Sequence, residues 1–331
     1  MKKYKIYTLY TLLLYIILMI SLLFYLSNAK IYFLPEEFPI WVYVKEKLSK
    51  INKENFILLG DSRAKAGFKP KTFDFANVSS LNLAIGGGTP IEAYYALRQY
   101  LKKNKPEFLL LSFAPFHIQT QDSYWGRTVL FDFLNLSEYY EITNHAKKFK
   151  EQDLLEKNLN ENYYFFTYVN YTKNPFKFLP SLKKALFTKN NRYSVNNKIL
   201  KYLKETKGHF FYGRALQSSG ITSEGKQKEP FVNSTLINFY LEKLIVLAQS
   251  NNIKVYYYSM PLNYASYGSI NFEYVNSYNS YISNLAKKYN IKILNSLYFL
   301  PNENFGDASH LYRGAEKVTL HIRDQFIKSF L

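Results

Sequence analysis

Three short stretches of this sequence carry the residue types that serine-based acyl chemistry requires. Gly60-Asp61-Ser62-Arg63 places a hydroxyl directly after an apolar run. Gly86-Gly87-Gly88 offers backbone N–H groups that no side chain hinders. Asp307-Ala308-Ser309-His310 sets a carboxylate and an imidazole three residues apart near the C-terminus. A Ser hydroxyl is a poor nucleophile until a neighbouring His accepts its proton. The His in turn needs a carboxylate to hold its tautomer and to stabilise the imidazolium that forms. The developing oxyanion needs preorganised donors, and removing one costs about 2.7–4 kcal/mol. Each stretch alone has a plainer reading: an Asx-capped turn, a strand-to-helix turn, and a capping or packing His. Their order along the chain is what points to a site.

The elements around these stretches follow from apolar patterning. Phe56–Leu59, Ser80–Ile85, Phe108–Phe113, Ile253–Ser259 and Ile291–Leu294 read as short buried strands. Helices are expected from Thr89-Pro90 to about 104, over 232–250, over 271–289 and from Gly314 to Phe330. The first has Thr at the N-cap, Pro at N1 and Glu92 at N3. Strands alternating with helices require a parallel sheet covered on both faces. Ligand sites in such sheets lie beyond the C-terminal ends of the strands, which selects the loops 60–70, 86–90, 114–120 and 301–310. Residues from about 118 to 230 lose the rhythm and read as a helical insertion, the segment expected to encode specificity.

Composition excludes several classes of function. The chain has 331 residues, 47% hydrophobic and 21% charged, enough for a sizeable core. It has no Cys, which removes disulfides, thiolate metal sites and Cys nucleophiles. His145, His209 and His321 show no ligand spacing, and His117 in the third loop reads as structural, so no metal is expected. No phosphate-cradling glycine motif is present, so no nucleotide cofactor is expected. The formal charge is +18, but only seven of the 43 basic residues are Arg and no basic run marks a groove binder. Nucleic acid is therefore not the expected partner. A Lys-rich solvated surface, or an anionic polymer or lipid surface, fits better.

Residues 6–29 carry no charged side chain. As a helix they span about 36 Å, enough to cross a bilayer core. Lys2, Lys3 and Lys5 put the N-terminus in the cytoplasm by the positive-inside rule. Tyr4, Tyr7 and Tyr10 at one end and Tyr25 and Tyr32 at the other suit interfacial belts. Ser27-Asn28-Ala29 also has the form of a signal-peptide cleavage site, although the apolar stretch exceeds the usual h-region of about 7–15 residues. Either reading exports the rest of the chain. The expected organisation is an anchor over 1–30, a juxtamembrane stem over 31–54 lying along the membrane surface, and an α/β domain over 55–331. Phe38, Ile40, Trp41, Val42 and Val44 supply the stem's apolar side.

The Gly-Asp-Ser after the first strand and the Asp-x-x-His before the last helix resemble the first and last blocks of the SGNH (GDSL-type) hydrolase superfamily. The resemblance covers about residues 55–331, with the insertion unmatched. It implies a flavodoxin-like three-layer α/β/α fold with Ser62 as nucleophile, His310 as base and Asp307 as its partner. Gly86 or Gly87, with the Ser62 N–H, would form the oxyanion hole. The third block departs from the family: Ser112-Phe113-Ala114-Pro115 stands where Gly-x-Asn-Asp is usual. Ser112 and Asn82 are the candidate replacement donors, and Arg63 is a candidate contact for an anionic substrate. The α/β-hydrolase elbow fits less well, because Ala64 holds the last place of Gly-x-Ser-x-Gly. One N-terminal helix before such a domain is similar to membrane-anchored envelope-modifying relatives, the alginate O-acetylation proteins and the D-alanine transfer protein DltD. That branch implies O-acetylation of an envelope glycan beside a multi-pass membrane O-acyltransferase. A deacylating esterase and a non-catalytic subunit that binds the glycan or the acyltransferase remain the alternatives.

Overall fold

The computed structural model describes residues 2–28, 30–120, 125–156 and 192–330. The described residues form two compact units, one from 2–39 and 192–200, the other from 40–156 and 201–330.

In the first unit, α1 (Lys2–Asn28) is the one described helix long and apolar enough to cross a membrane. Among the described residues no part of its window Tyr4–Ser21 is buried. The cleavage-like tripeptide ends at Ala29, outside the described residues. Elsewhere in this unit the Asn196 amide donates to the carbonyls of Ile31 and Leu34, and Tyr32 stacks on Tyr193.

The second unit is α/β. α2 (Phe38–Ser49) supplies it with Ile40, Trp41, Tyr43, Val44 and Leu48, all buried. The Trp41 ring meets Phe131 and Phe133 edge-on. Protein therefore covers the apolar side of residues 40–48, which does not lie along a membrane as the stem expected over 31–54 would.

β1 (Phe56–Gly60), β2 (Ser80–Asn82), β3 (Phe108–Ser112), β4 (Lys254–Tyr257) and β5 (Lys292–Ile293) form a parallel sheet in the order β2-β1-β3-β4-β5. β1 and β3 are apolar runs buried on both faces, as a covered parallel sheet demands. Beyond Asn82 the chain stays against β1, with the N–H groups of Leu83 and Ile85 donating to Leu58 and Gly60.

Along the chain follow the helices α3 (Ser62–Gly67), α4 (Pro90–Tyr100), α5 (Leu136–Phe149), α6 (Arg192–Glu205), α7 (Thr235–Ser250), α8 (Phe272–Tyr289) and α9 (Ala315–Phe330). On one sheet face Phe56, Leu58, Phe108, Leu110 and Tyr256 meet Val318, Ile322 and Phe326 of α9. Phe326 alone touches the rings of Phe56, Phe108 and Tyr256. Alternation sends Ile57, Leu59, Leu109 and Leu111 to the other face, where α4 and α7 pack on each other, on β1 and on β4. The capping box read at Thr89 and Glu92 is formed.

Of the insertion expected over 118–230, residues 121–124 and 157–191 lie outside those described. The described remainder includes α5, all of α6 and a strap that runs over 206–231. The strap has no strand and only one turn of helix, Glu224–Lys226, yet it returns to the C-terminal ends of the strands.

Candidate functional site

The loop after β1 is built around Asp61. This residue is the N-cap of α3, and its Oδ1 accepts the N–H groups of Arg63 (2.9 Å) and Ala64 (3.3 Å). Oδ2 accepts the N–H of Ala114 at 2.7 Å, which ties the ends of β1 and β3 together. A short acceptor at an N-cap satisfies donors that a helix start leaves orphaned. Ser62, half-buried, is the first residue of α3, and its N–H has no partner among the described residues.

The glycine turn sits against the same strand end. Ile85 N–H donates to Gly60 O, and Gly88 N–H closes the turn onto Ile85 O, each at 3.1 Å. Gly87 has φ +69°, a conformation that side chains resist. The N–H groups of Gly86 and Gly87 donate to nothing among the described residues.

In the third loop the Asp307 carboxylate accepts the N–H groups of Ser309 and His310, both at 2.8 Å. It also holds the His310 ring, with Nδ1 at 2.9 Å from Oδ1 and 2.8 Å from Oδ2. Burial pushes the Asp307 carboxyl up, but the His310 bond and charge and the two backbone donors outweigh it, so its pKa lies below the ordinary value. Donation from Nδ1 leaves Nε2 as the basic nitrogen. That atom is buried and has no hydrogen-bond partner among the described residues. The Ser62–His310 hydrogen bond is not formed; such bonds often tighten only when substrate is bound.

Unpartnered buried polar atoms are rare and each calls for a reason. Besides His310 Nε2, they include Arg63 Nη1, Ser112 Oγ and His117 Nδ1, all on the loops that the topology selects or on the strand end that leads into one. Among the described residues no three His, Asp or Glu side chains gather as metal ligands.

Two residues considered for substrate contacts are engaged elsewhere. Asn82 is fully buried, and its amide donates to the carbonyls of Ala64, Lys65 and Phe68. Its Oδ1 accepts Ala84 N–H, so Asn82 latches α3 to β2 instead of facing an oxyanion. Arg63 is 7% exposed and bonds Glu224 of the strap at 2.6 Å. Burial lowers its pKa, but Glu224 and Asp61 more than reverse this; the same pairing keeps the buried Glu224 carboxyl below its ordinary value. Arg63 therefore anchors the strap, and Glu224 Oε1 also accepts Phe116 N–H. Ser112 lies opposite Gly60 in register and is 1% exposed.

The sequence reading missed the strap. Lys65 Nζ donates to Gly208 O, Phe210 N–H to Lys65 O, and Ala215 N–H to Gly306 O. Tyr212 lays its ring against His310, with centroids 4.7 Å apart and planes at 33°. A Cβ on Gly213 would stand 2.5 Å from Gly306 O and 2.7 Å from Asp307 Oδ2. The available signal was Gly208-His209-Phe210-Phe211-Tyr212-Gly213, an aromatic run bracketed by glycines inside the presumed insertion. Comparison of the sequence with protein-family models and with curated proteins finds no match in either.

Proposed function

We propose that this chain is a membrane-anchored, SGNH-like serine acyltransferase that O-acetylates a cell-envelope polysaccharide through an acyl-enzyme on Ser62. The observation that carries the reading is the Asp307–His310 pair, which orients the imidazole and leaves Nε2 basic, buried and unpartnered. Ser62 at the start of α3 and the open N–H groups of Gly86 and Gly87 support it. The strand order β2-β1-β3-β4-β5 supports the flavodoxin-like three-layer arrangement.

In this mechanism His310 Nε2 takes the Ser62 proton as Oγ attacks the donor's acyl carbon. The oxyanion rests on the N–H groups of Ser62 and the glycine turn. As the tetrahedral intermediate collapses, the leaving group departs with the proton from His310. A sugar hydroxyl then gives its proton to Nε2 and takes the acyl group, and His310 returns the proton to Ser62. With water as acceptor the same steps make the chain an esterase.

Lys2, Lys3 and Lys5 at the start of α1 support an inside N-terminus and an extracytoplasmic domain. A multi-pass membrane O-acyltransferase is the partner that would supply the acyl group. Ser112-Phe113-Ala114-Pro115, which lacks the Asn usual in the third block, favours a second reading, a non-catalytic subunit that binds glycan or that partner.

A fluorophosphonate probe is expected to label the full-length protein in detergent, and Ser62→Ala to abolish labelling. Folded wild-type protein that stays unlabelled would leave the non-catalytic reading. Given an acetyl donor and candidate glycans, acetylated sugar marks the transferase and free acetate alone marks the esterase.

A further inference from the structure

We infer that the Tyr212 hydroxyl is the third donor to the oxyanion, delivered by the strap in place of a side chain from the loop after β3. The inference rests on the acyl chemistry proposed for Ser62. A Cβ built on Gly86 would lie 2.9 Å from the Tyr212 hydroxyl and 3.5 Å from its Cε1. The phenol oxygen is thus packed against the Gly86 Cα, beside the glycine-turn N–H groups that donate to nothing among the described residues. The same ring rests on the His310 imidazole. One side chain therefore reaches from the base to the turn.

The two replacement donors that the sequence offered are placed otherwise. Asn82 has both amide protons on α3 carbonyls. Asp61 takes the Ala114 N–H, and the Phe113 carbonyl accepts the hydroxyl of Tyr257. Ser112 is buried, and its register partner Gly60 faces Ala64 of α3.

Tyr212 is also well fixed. Gly213 fits against Gly306 with no room for a side chain, Ala215 N–H holds Gly306 O, and Phe210 meets the Tyr212 ring edge-on at 5.4 Å. A donor earns its effect on an oxyanion by being held in place before charge develops. The ring contact gives Tyr212 a second role, since it covers a face of the His310 imidazole and helps to hold the ring in place.

Tyr212→Phe separates the two roles, because it keeps the ring and removes only the hydroxyl. With 4-nitrophenyl acetate and full-length protein in detergent, the variant is expected to lose about 10²-fold in kcat. Its KM is expected to stay within about twofold, as for an interaction made only in the transition state. Its fluorophosphonate labelling slows in parallel while its melting temperature holds. Wild-type kcat in Tyr212→Phe, or a raised KM with kcat unchanged, overturns the donor assignment and leaves the Ser62 chemistry standing. A wild-type protein that neither turns over nor labels overturns the Ser62 chemistry, and the assignment with it.

Discussion

Residues 56–112 and residues 206–231 arrive at the same rim, but different physics holds them there. β1 and β3 lie in a ladder whose every residue is buried, pressed from one side by α9 and from the other by α4 and α7. The strap has no ladder. It is pinned at separate points: Gly208 and Phe210 on Lys65, Ala215 on Gly306, Ser218 on Asn302, Gly220 on Asn263, and Glu224 on Arg63. A laddered sheet opens only cooperatively, whereas a segment held by scattered bonds loosens piece by piece. The sheet therefore fixes where Ser62 and the glycine turn stand, and the strap decides what faces them.

The comparison can be broken most severely at Arg63. Arg63→Ala leaves Glu224 buried without its partner and is expected to cost about 3–5 kcal/mol in urea unfolding. Pairing Arg63→Met with Glu224→Met should recover most of that loss, and a single variant without effect would mean that the strap is not anchored there. Gly213→Ala comes next. Its Cβ has no space against Gly306 and Asp307, so a loss of about 1–3 kcal/mol is expected. Fluorophosphonate labelling should fall too, because the displaced backbone disturbs the pair that orients His310.

Acid should loosen the strap before the sheet. His209 is buried on Ala66 O, and burial takes its pKa from 6.5 to about 3. The unfolded chain therefore binds the extra proton between those values. The His209 contribution is complete above pH 6.5 and falls by at most about 1.4 kcal/mol per pH unit toward pH 3. Melting temperature against pH should have a shallower acid limb in His209→Gln; an unchanged limb would clear His209 of the effect. The smallest expected change lies in the sheet region. Thr89→Ala removes the N-cap of α4 and should cost about 1 kcal/mol while labelling stays at the wild-type rate. Lost labelling there would show that the helix cap, and not only the strap, sets the site.

Where a residue's partners are near neighbours in the chain, its role was legible. Thr89 and Glu92 close a capping box three positions apart, and Asp307 holds His310 across the same spacing. The alternation of apolar strands with helices was enough to place the parallel sheet, apart from strand ends that shift by one to three residues. Misreadings fell where distant partners decide. The apolar side of residues 40–48 reads equally as membrane-facing or core-facing until Phe131 and Phe133 are known to cover it. Asn82 carries donors that suit an oxyanion, but the carbonyls of α3 take them. Arg63 is a candidate substrate contact in sequence and a buried anchor in the fold, because its counter-ion is 161 positions away.

The amino-acid sequence by itself determined the long apolar helix at the N-terminus, the parallel sheet, and the three loops that bring Ser62, Gly86 and His310 to the strand ends. These depend on periodicity and on short-range hydrogen bonds, which act between residues a few positions apart. Only the tertiary structure decided which groups Asn82, Arg63 and Tyr212 meet. The strap has no periodic pattern to announce it, and its course is set by contacts with loops tens to hundreds of residues away on either side of it in the chain.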